Sequence, residues 1–314
     1  MLVHNPLNNH LNLTRFIFIS IVISAFLGVI NSPTALALGL LFSIFFTNPF
    51  PTLTQKGIKQ GLKIAVIGLG FGISATEAIQ ANSHGIGLII FSIFSTVILG
   101  IIVTSKLGLE KKLGFLITSG TAICGGSAIA AVAPVTKADN KSITVSLAIV
   151  FTLNAIALLI FPPIGHFFEL SQQQFGLWAA IAIHDTSSVV GAALAYGDEA
   201  LKTATTLKLS RTLWIIPLAL FATYWFKSKG QKIAIPYFIG GFLLAILINS
   251  TNLLPETITE NIVTVSKHLL VVILFFIGST LSPKTLKSIG FKPLVLAVIL
   301  WLAISSLSLF YIIS

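Results

Sequence analysis

Gly120-Thr121-Ala122-Ile123-Cys124-Gly125-Gly126-Ser127-Ala128-Ile129-Ala130-Ala131-Val132-Ala133-Pro134 is the stretch on which the reading of the whole chain turns. It is apolar enough for a membrane span, yet two adjacent glycines between a cysteine and a serine sit at its centre. A glycine pair costs roughly 1–2 kcal/mol against alanine in a helix interior, so the stretch predicts an interruption within about two residues of Gly125. Backbone released from a helix in hydrocarbon must face a polar cavity or packed protein. The half-helix restarting at Ser127 is then expected to point its unpaired N–H groups and positive dipole end into that cavity, as a cradle for an anion. Close helix packing on small residues is the competing reading of the same glycines.

Composition fixes the class around that stretch. Apolar residues make up 55% of the 314 and charged residues only 9%, which is too little charge to solvate a soluble domain of this size. The lone cysteine, Cys124, excludes an intramolecular disulfide, and its place in the motif points to packing or the site instead of redox work. The net charge of +10 does not imply nucleic acid, because the lysines lie in short loops between apolar runs and read as topology signals. The first fifteen residues lead into a long apolar run without a small-residue cleavage site, so that run is expected to be a retained helix.

Eleven apolar segments are expected, near 16–30, 33–46, 61–79, 84–103, 113–135, 141–162, 176–197, 205–226, 233–249, 261–281 and 291–312. Asn31-Ser32-Pro33 predicts a tight turn between the first two, and Phe161-Pro162-Pro163 is expected to stop the sixth. No stretch reads as a linker or soluble domain, so residues 1–314 are expected to form one integral membrane transporter domain. If the segments alternate, one side holds Arg15 and Lys56, Lys59, Lys63, Lys106, Lys111, Lys112, Lys227, Lys229, Lys232, Lys284, Lys287 and Lys292, and the other Lys137, Lys141, Lys202, Lys208 and Lys267. That bias places the N-terminus in the cytoplasm and the C-terminus outside. Residues Ile67 to Ser74 echo Phe275 to Ser282, as an inverted-topology repeat would; pairing the fifth segment with the tenth is the other open register.

Polar residues inside spans mark the remaining chemistry. Segment seven carries His184-Asp185-Thr186-Ser187-Ser188 near mid-span, a run that covers more than one helix face and so excludes a lipid-facing position. Asp185 can hold a cation or proton and His184 exchanges protons near neutral pH; a structural polar pair is the alternative. Ser187 and Ser188 have the bland option of bonding preceding carbonyls. Segment eight opens with Thr205 to Arg211, where Lys208 is expected to snorkel outward and Arg211 either binds an oxyanion with its planar fork or pairs with Asp185. Glu77, Lys267 and His268 are expected near solvated helix ends.

The run from Gly120 to Pro134, followed by Lys137 and Ala138, resembles the signature of the YeiH-like family, whose members carry the label of sulfate exporters. The resemblance continues through Ile183-His184-Asp185, Val189-Val190-Gly191-Ala192 and Leu207-Lys208-Leu209-Ser210-Arg211 and covers essentially the whole chain. More distantly, segments three to six are similar to the bile-acid sodium symporter family, where a Gly-rich span ending in Leu-Ser precedes a broken helix with Cys, Pro and Gly. That likeness implies an all-α polytopic membrane protein with an inverted-repeat transporter fold and crossing broken helices, here with one extra helix. This chain has Cys124-Gly125-Gly126 without the proline.

The expected function is secondary transport of a small anion, sulfate or an organosulfonate, by export coupled to a proton or sodium. Substrate contacts are expected from Thr121, Cys124, Gly125, Gly126, Ser127, Ser187 and Arg211, and ion coupling from His184, Asp185 and Thr186. A passive anion channel or an intramembrane enzyme is the alternative, although no zinc-ligand spacing, Gly-x-Ser-x-Gly elbow or nucleotide-binding motif appears. No cofactor is expected beyond the coupling ion. The partners are the anion and the lipid bilayer, not nucleic acid, and a homo-oligomer stays open. The cell location expected is the bacterial inner membrane.

Overall fold

The computed structural model describes residues 6–227, 237–280 and 290–314. Lys229, Lys232, Lys284 and Lys287, and the Leu281-Ser282 end of the echo, lie outside the described residues. All described elements are helical: α1 (Pro6–Phe26), α2 (Ser32–Phe45), α3 (Pro51–Lys56), α4 (Leu62–Leu69), α5 (Ala75–Lys106), α6 (Lys111–Ala122), α7 (Gly126–Thr136), α8 (Asn140–Phe167), α9 (Gln172–Ala182), α10 (Thr186–Tyr196), α11 (Asp198–Thr212), α12 (Ile215–Trp225), α13 (Phe238–Ser250), α14 (Glu256–Thr280) and α15 (Phe291–Ile313). A π-turn over Gly57–Gly61 joins α3 to α4, and a 3-10 turn over Gly70–Gly72 follows α4. Gly85–Lys106, Lys141–Phe167, Glu256–Thr280 and Phe291–Ile313 are long and apolar enough to cross a membrane, and five shorter helices are apolar as well.

The chain divides into two compact units. The first contains Met1–Gly72 and Gly241–Pro283 and is built on α14. There Gly39 of α2 meets Gly278 of α14 backbone to backbone: a Cβ at Gly39 would stand 2.4 Å from the Phe275 carbonyl oxygen. Only a residue without a side chain allows that approach. Phe18 fills the space beside it, its ring centroid 5.4 Å from Phe42 and 5.0 Å from Phe275. Lys267 and His268 lie within α14, eleven and twelve residues after its start at Glu256, and not at a helix end as expected. The helix begins earlier than the apolar run because polar Glu256 to Glu260 already fit its first turns.

The second unit, Ile73–Gly240 with Lys284–Ser314, holds both interrupted segments, and each folds back on itself instead of continuing across. At the base of the first, the Lys112 ammonium donates to the Lys137 carbonyl at 2.9 Å, so α7 ends where α6 began. Two collinear half-helices would put these residues more than 30 Å apart at about 1.5 Å per residue. At the base of the second, Tyr196 at the end of α10 stacks on Phe175 at 3.8 Å and donates to the Leu170 carbonyl at 2.6 Å. These are two re-entrant hairpins, α6/α7 and α9/α10, where the distant resemblance implies crossing broken helices.

Helix α8 sets their opposition. Its 28 residues start just after the first hairpin's base and end just before the second's, separating the bases by roughly 40 Å. It runs through Pro162 and Pro163, where a stop was expected: both accept helical φ, and only the Leu158 and Leu159 carbonyls lose their donors. Three more rods join the same two ends. α5 runs from the Glu77–Lys202 ion pair to Thr104 against Gly114, and α11 with α12 from Glu199 at Gln172 to Phe226, 5.3 Å from Phe115. α15 runs from Lys292, donating to the Leu107 carbonyl, to the Ile312 carbonyl, which accepts from Gln174.

Candidate functional site

The hairpin tips meet beside the middle of α8. In the first, Ile123-Cys124-Gly125 separates α6 from α7, and Gly125 adopts φ 64°, ψ −124°, a conformation open to glycine alone. A Cβ there would lie 3.3 Å from both Val150 of α8 and the Asp185 Cα of the other tip. In the second, Ile183-His184-Asp185 separates α9 from α10. The Asn154 side-chain oxygen, one turn beyond Val150, accepts from the backbone N–H of His184 at 2.9 Å and of Asp185 at 3.2 Å.

Four half-helix ends therefore converge, and they are capped unequally. Lys208 and Arg211 of α11 are fully buried and serve the two C-terminal ends, where the dipole is negative. Arg211 donates through Nε and Nη2 to the Ala122 carbonyl at 2.9 and 2.6 Å, and through Nη1 to Ala180 at 3.1 Å and to Ile181. Lys208 donates to the carbonyls of Ile183 at 2.7 Å and Ala180 at 3.2 Å. The expectation that Lys208 snorkels outward is overturned: its side chain is fully buried and donates to carbonyls at the end of α9, which have no helical partner. Arg211 likewise makes no ion pair within 4 Å of Asp185 among the described residues. Asp185 instead caps α10, accepting from the Ser187 N–H at 3.1 Å, the Ser188 N–H at 3.4 Å and the Ser187 hydroxyl. The start of α7 has no side-chain cap.

Of the expected substrate residues, Ser127 is exposed, Gly126 partly so, and Thr121, Cys124 and Gly125 are buried. Asp185 is partly exposed, and Thr186, Ser187 and Ser188 are buried. Both ring nitrogens of His184, the Asn154 amino group and the hydroxyls of Thr121 and Thr205 are buried without a hydrogen-bond partner among the described residues. Asn154 was not anticipated; its only signal is a single amide in a run whose other polar residues after Lys141 are serine and threonine. A cavity of about 330 Å³, lined by Glu77, Gln173, Glu199 and Lys202 among others, lies at the base of the second hairpin and not at the tips. No group of three His, Cys, Asp or Glu side chains suited to a metal occurs among the described residues.

These features define an all-helical membrane protein whose second unit carries two opposed re-entrant hairpins. Residues 14–297 match the family described as "Conserved hypothetical protein 698", and the chain belongs to that family. It is 52% identical over 296 residues to a UPF0324 membrane protein of Photobacterium profundum, covering 94% of this chain and 91% of that one. It is 50% identical over 300 residues to one of Shewanella oneidensis, covering 95% and 94%, and 45% identical over 305 residues to one of Bacteroides thetaiotaomicron, covering 96% and 92%. No solved structure matches.

Proposed function

We propose that the chain is a secondary transporter of a small anion of the sulfate or sulfonate class, exporting it across the bacterial inner membrane with a proton or sodium as coupling ion. The observation that carries this reading is the meeting of two oppositely entering hairpin tips at mid-α8. Non-helical backbone at that depth is tolerated only against packed protein or a polar cavity, and two such breaks facing each other are a costly arrangement without a ligand. The balance of groups gives its sign: Lys208 and Arg211 set two buried basic side chains against the single acidic one of Asp185, and the uncapped start of α7 adds a positive dipole end. Each hairpin is followed by a crossing rod, α8 or α11 with α12, running in opposite senses, which supports an inverted repeat of this pair of elements.

Re-entry also refines the topology. With segments five and seven returning to the side they entered from, nine of the eleven segments cross and Lys137 and Lys141 move to the lysine-rich side. Fifteen of the nineteen Lys and Arg residues then share one face, Lys208 and Arg211 are inside, and only Lys202 and Lys267 remain. That side is cytoplasmic by the positive-inside rule, and residue 314 lies outside.

Radiolabelled sulfate counterflow in proteoliposomes, repeated with a panel of unlabelled oxyanions and with imposed sodium and pH gradients, tests the reading. Saturable uptake accelerated by internal anion and driven by one of the gradients is expected. Unsaturable flux that follows voltage alone would replace the carrier with a channel, and no flux of any anion would overturn the substrate class.

A further inference from the structure

We propose that Asn154 is an oxyanion ligand at the hairpin tips, its Nδ2 amino group donating to the transported anion; this rests on the reading of the chain as an anion transporter. Two backbone N–H groups, of His184 and Asp185, donate to the Asn154 side-chain oxygen. Since those donors need an acceptor, they settle which end of the amide is oxygen and which is nitrogen. They also hold the amide plane in one orientation, so Nδ2 is a fixed donor one amide width from the second tip. Asn154 is 2% exposed, and Nδ2 has no acceptor among the described residues. One turn earlier on α8, Val150 lies against Gly125, so the same face of α8 meets both tips.

The ligand's chemistry follows from what is left over. Both nitrogens of the adjacent His184 are also unpartnered and buried, and neutral imidazole offers a second N–H donor. Donors without acceptors beside two basic side chains call for a hydrogen-bond acceptor, an anionic one by preference, and an amide NH2 cannot coordinate a metal cation. A sulfate or sulfonate oxygen meets both requirements; an ordered water meets only the first.

Binding of ³⁵S-sulfate to the purified protein, with thermal unfolding measured in parallel, separates these cases. Asn154→Asp keeps an oxygen for the two backbone donors but replaces the amino group by an acceptor. The expected result is a protein that still unfolds cooperatively, with sulfate affinity at least about tenfold weaker. To separate the lost donor from the added charge, the swap Asn154→Asp with Asp185→Asn restores the tip's net charge; affinity is expected to stay weak. Wild-type affinity in the single variant, or full recovery in the swap, would overturn the role of Asn154 while leaving transport standing. Binding of neither sulfate nor a competing sulfonate by the unaltered protein would instead remove the anion-transport reading, and this inference with it.

Discussion

Four of the five N–H donors of Arg211 are engaged by the carbonyls of Ala122, Ala180 and Ile181, which leaves little of its fork for a substrate. One guanidinium therefore ties the two hairpins together, and Arg211→Gln is expected to lower stability by roughly 2–4 kcal/mol by leaving buried carbonyls unmet. Asp185→Asn keeps an oxygen at the start of α10, and asparagine caps a helix about as well as aspartate, so its stability cost is expected within about 1 kcal/mol. Because the two side chains are not paired, the double variant should show the sum of the single effects, with no rescue. Thermal unfolding in detergent checks this, and recovery in the double variant would restore the ion pair. In gradient-driven uptake Asp185→Asn is expected to lose coupling; unaltered gradient dependence would remove Asp185 from the mechanism. Gly125→Ala forces a side chain into a left-handed conformation already in contact with Val150 and Asp185, and is expected to cost roughly 1–3 kcal/mol and to depress uptake.

At the scale of elements, the start of α5 shows how a short signal outranks a long apolar run. Ser74-Ala75-Thr76-Glu77 forms a capping box, with Ser74 N–H donating to the Glu77 carboxylate at 2.7 Å and Glu77 N–H to the Ser74 hydroxyl at 3.2 Å. The third segment accordingly ends at Gly72, not at residue 79, and α5 begins at Ala75. Partial burial raises the Glu77 pKa, but the Ser74 backbone and side-chain bonds and Lys202, 3.5 Å away, outweigh it, so the carboxyl titrates below its ordinary value of 4.5. A depressed pKa stabilises the fold above the unfolded value and is lost as pH falls through the folded one. Glu77→Gln is therefore expected to be less stable than the unaltered protein at pH 7, by less than about 1 kcal/mol because the pair is half-exposed, and the difference should vanish in acid. Melting curves of both proteins across that range check the sign.

For the whole molecule, the decisive prediction is which loops share a side. In a Cys124→Ser background, single cysteines at Gly108 and Ala138 should react with a membrane-impermeant thiol reagent from the same face, and those at Glu169 and Asp198 from the opposite face. If the broken segments crossed, the members of each pair would label from opposite faces. Positions 227 to 232 should share the first face, the cytoplasmic one, and Ser314 the other.

The sequence by itself determined the membrane class, because 9% charge cannot solvate 314 residues, and the break at Gly125, because a glycine pair weakens a helix whatever surrounds it. It also singled out His184, Asp185 and Arg211, since polar groups are rare at that depth. The tertiary structure decided that the broken segments turn back. Local propensity can end a helix, but the direction of the next one depends on contacts such as Lys112 with Lys137 and Tyr196 with Phe175, far apart in the chain. The partners of the buried charges were equally beyond local reading. Lys208 and Arg211 meet backbone carbonyls, present at every residue and so without a sequence signal, and Asn154 acquires its place only when both hairpin tips are brought to the middle of α8.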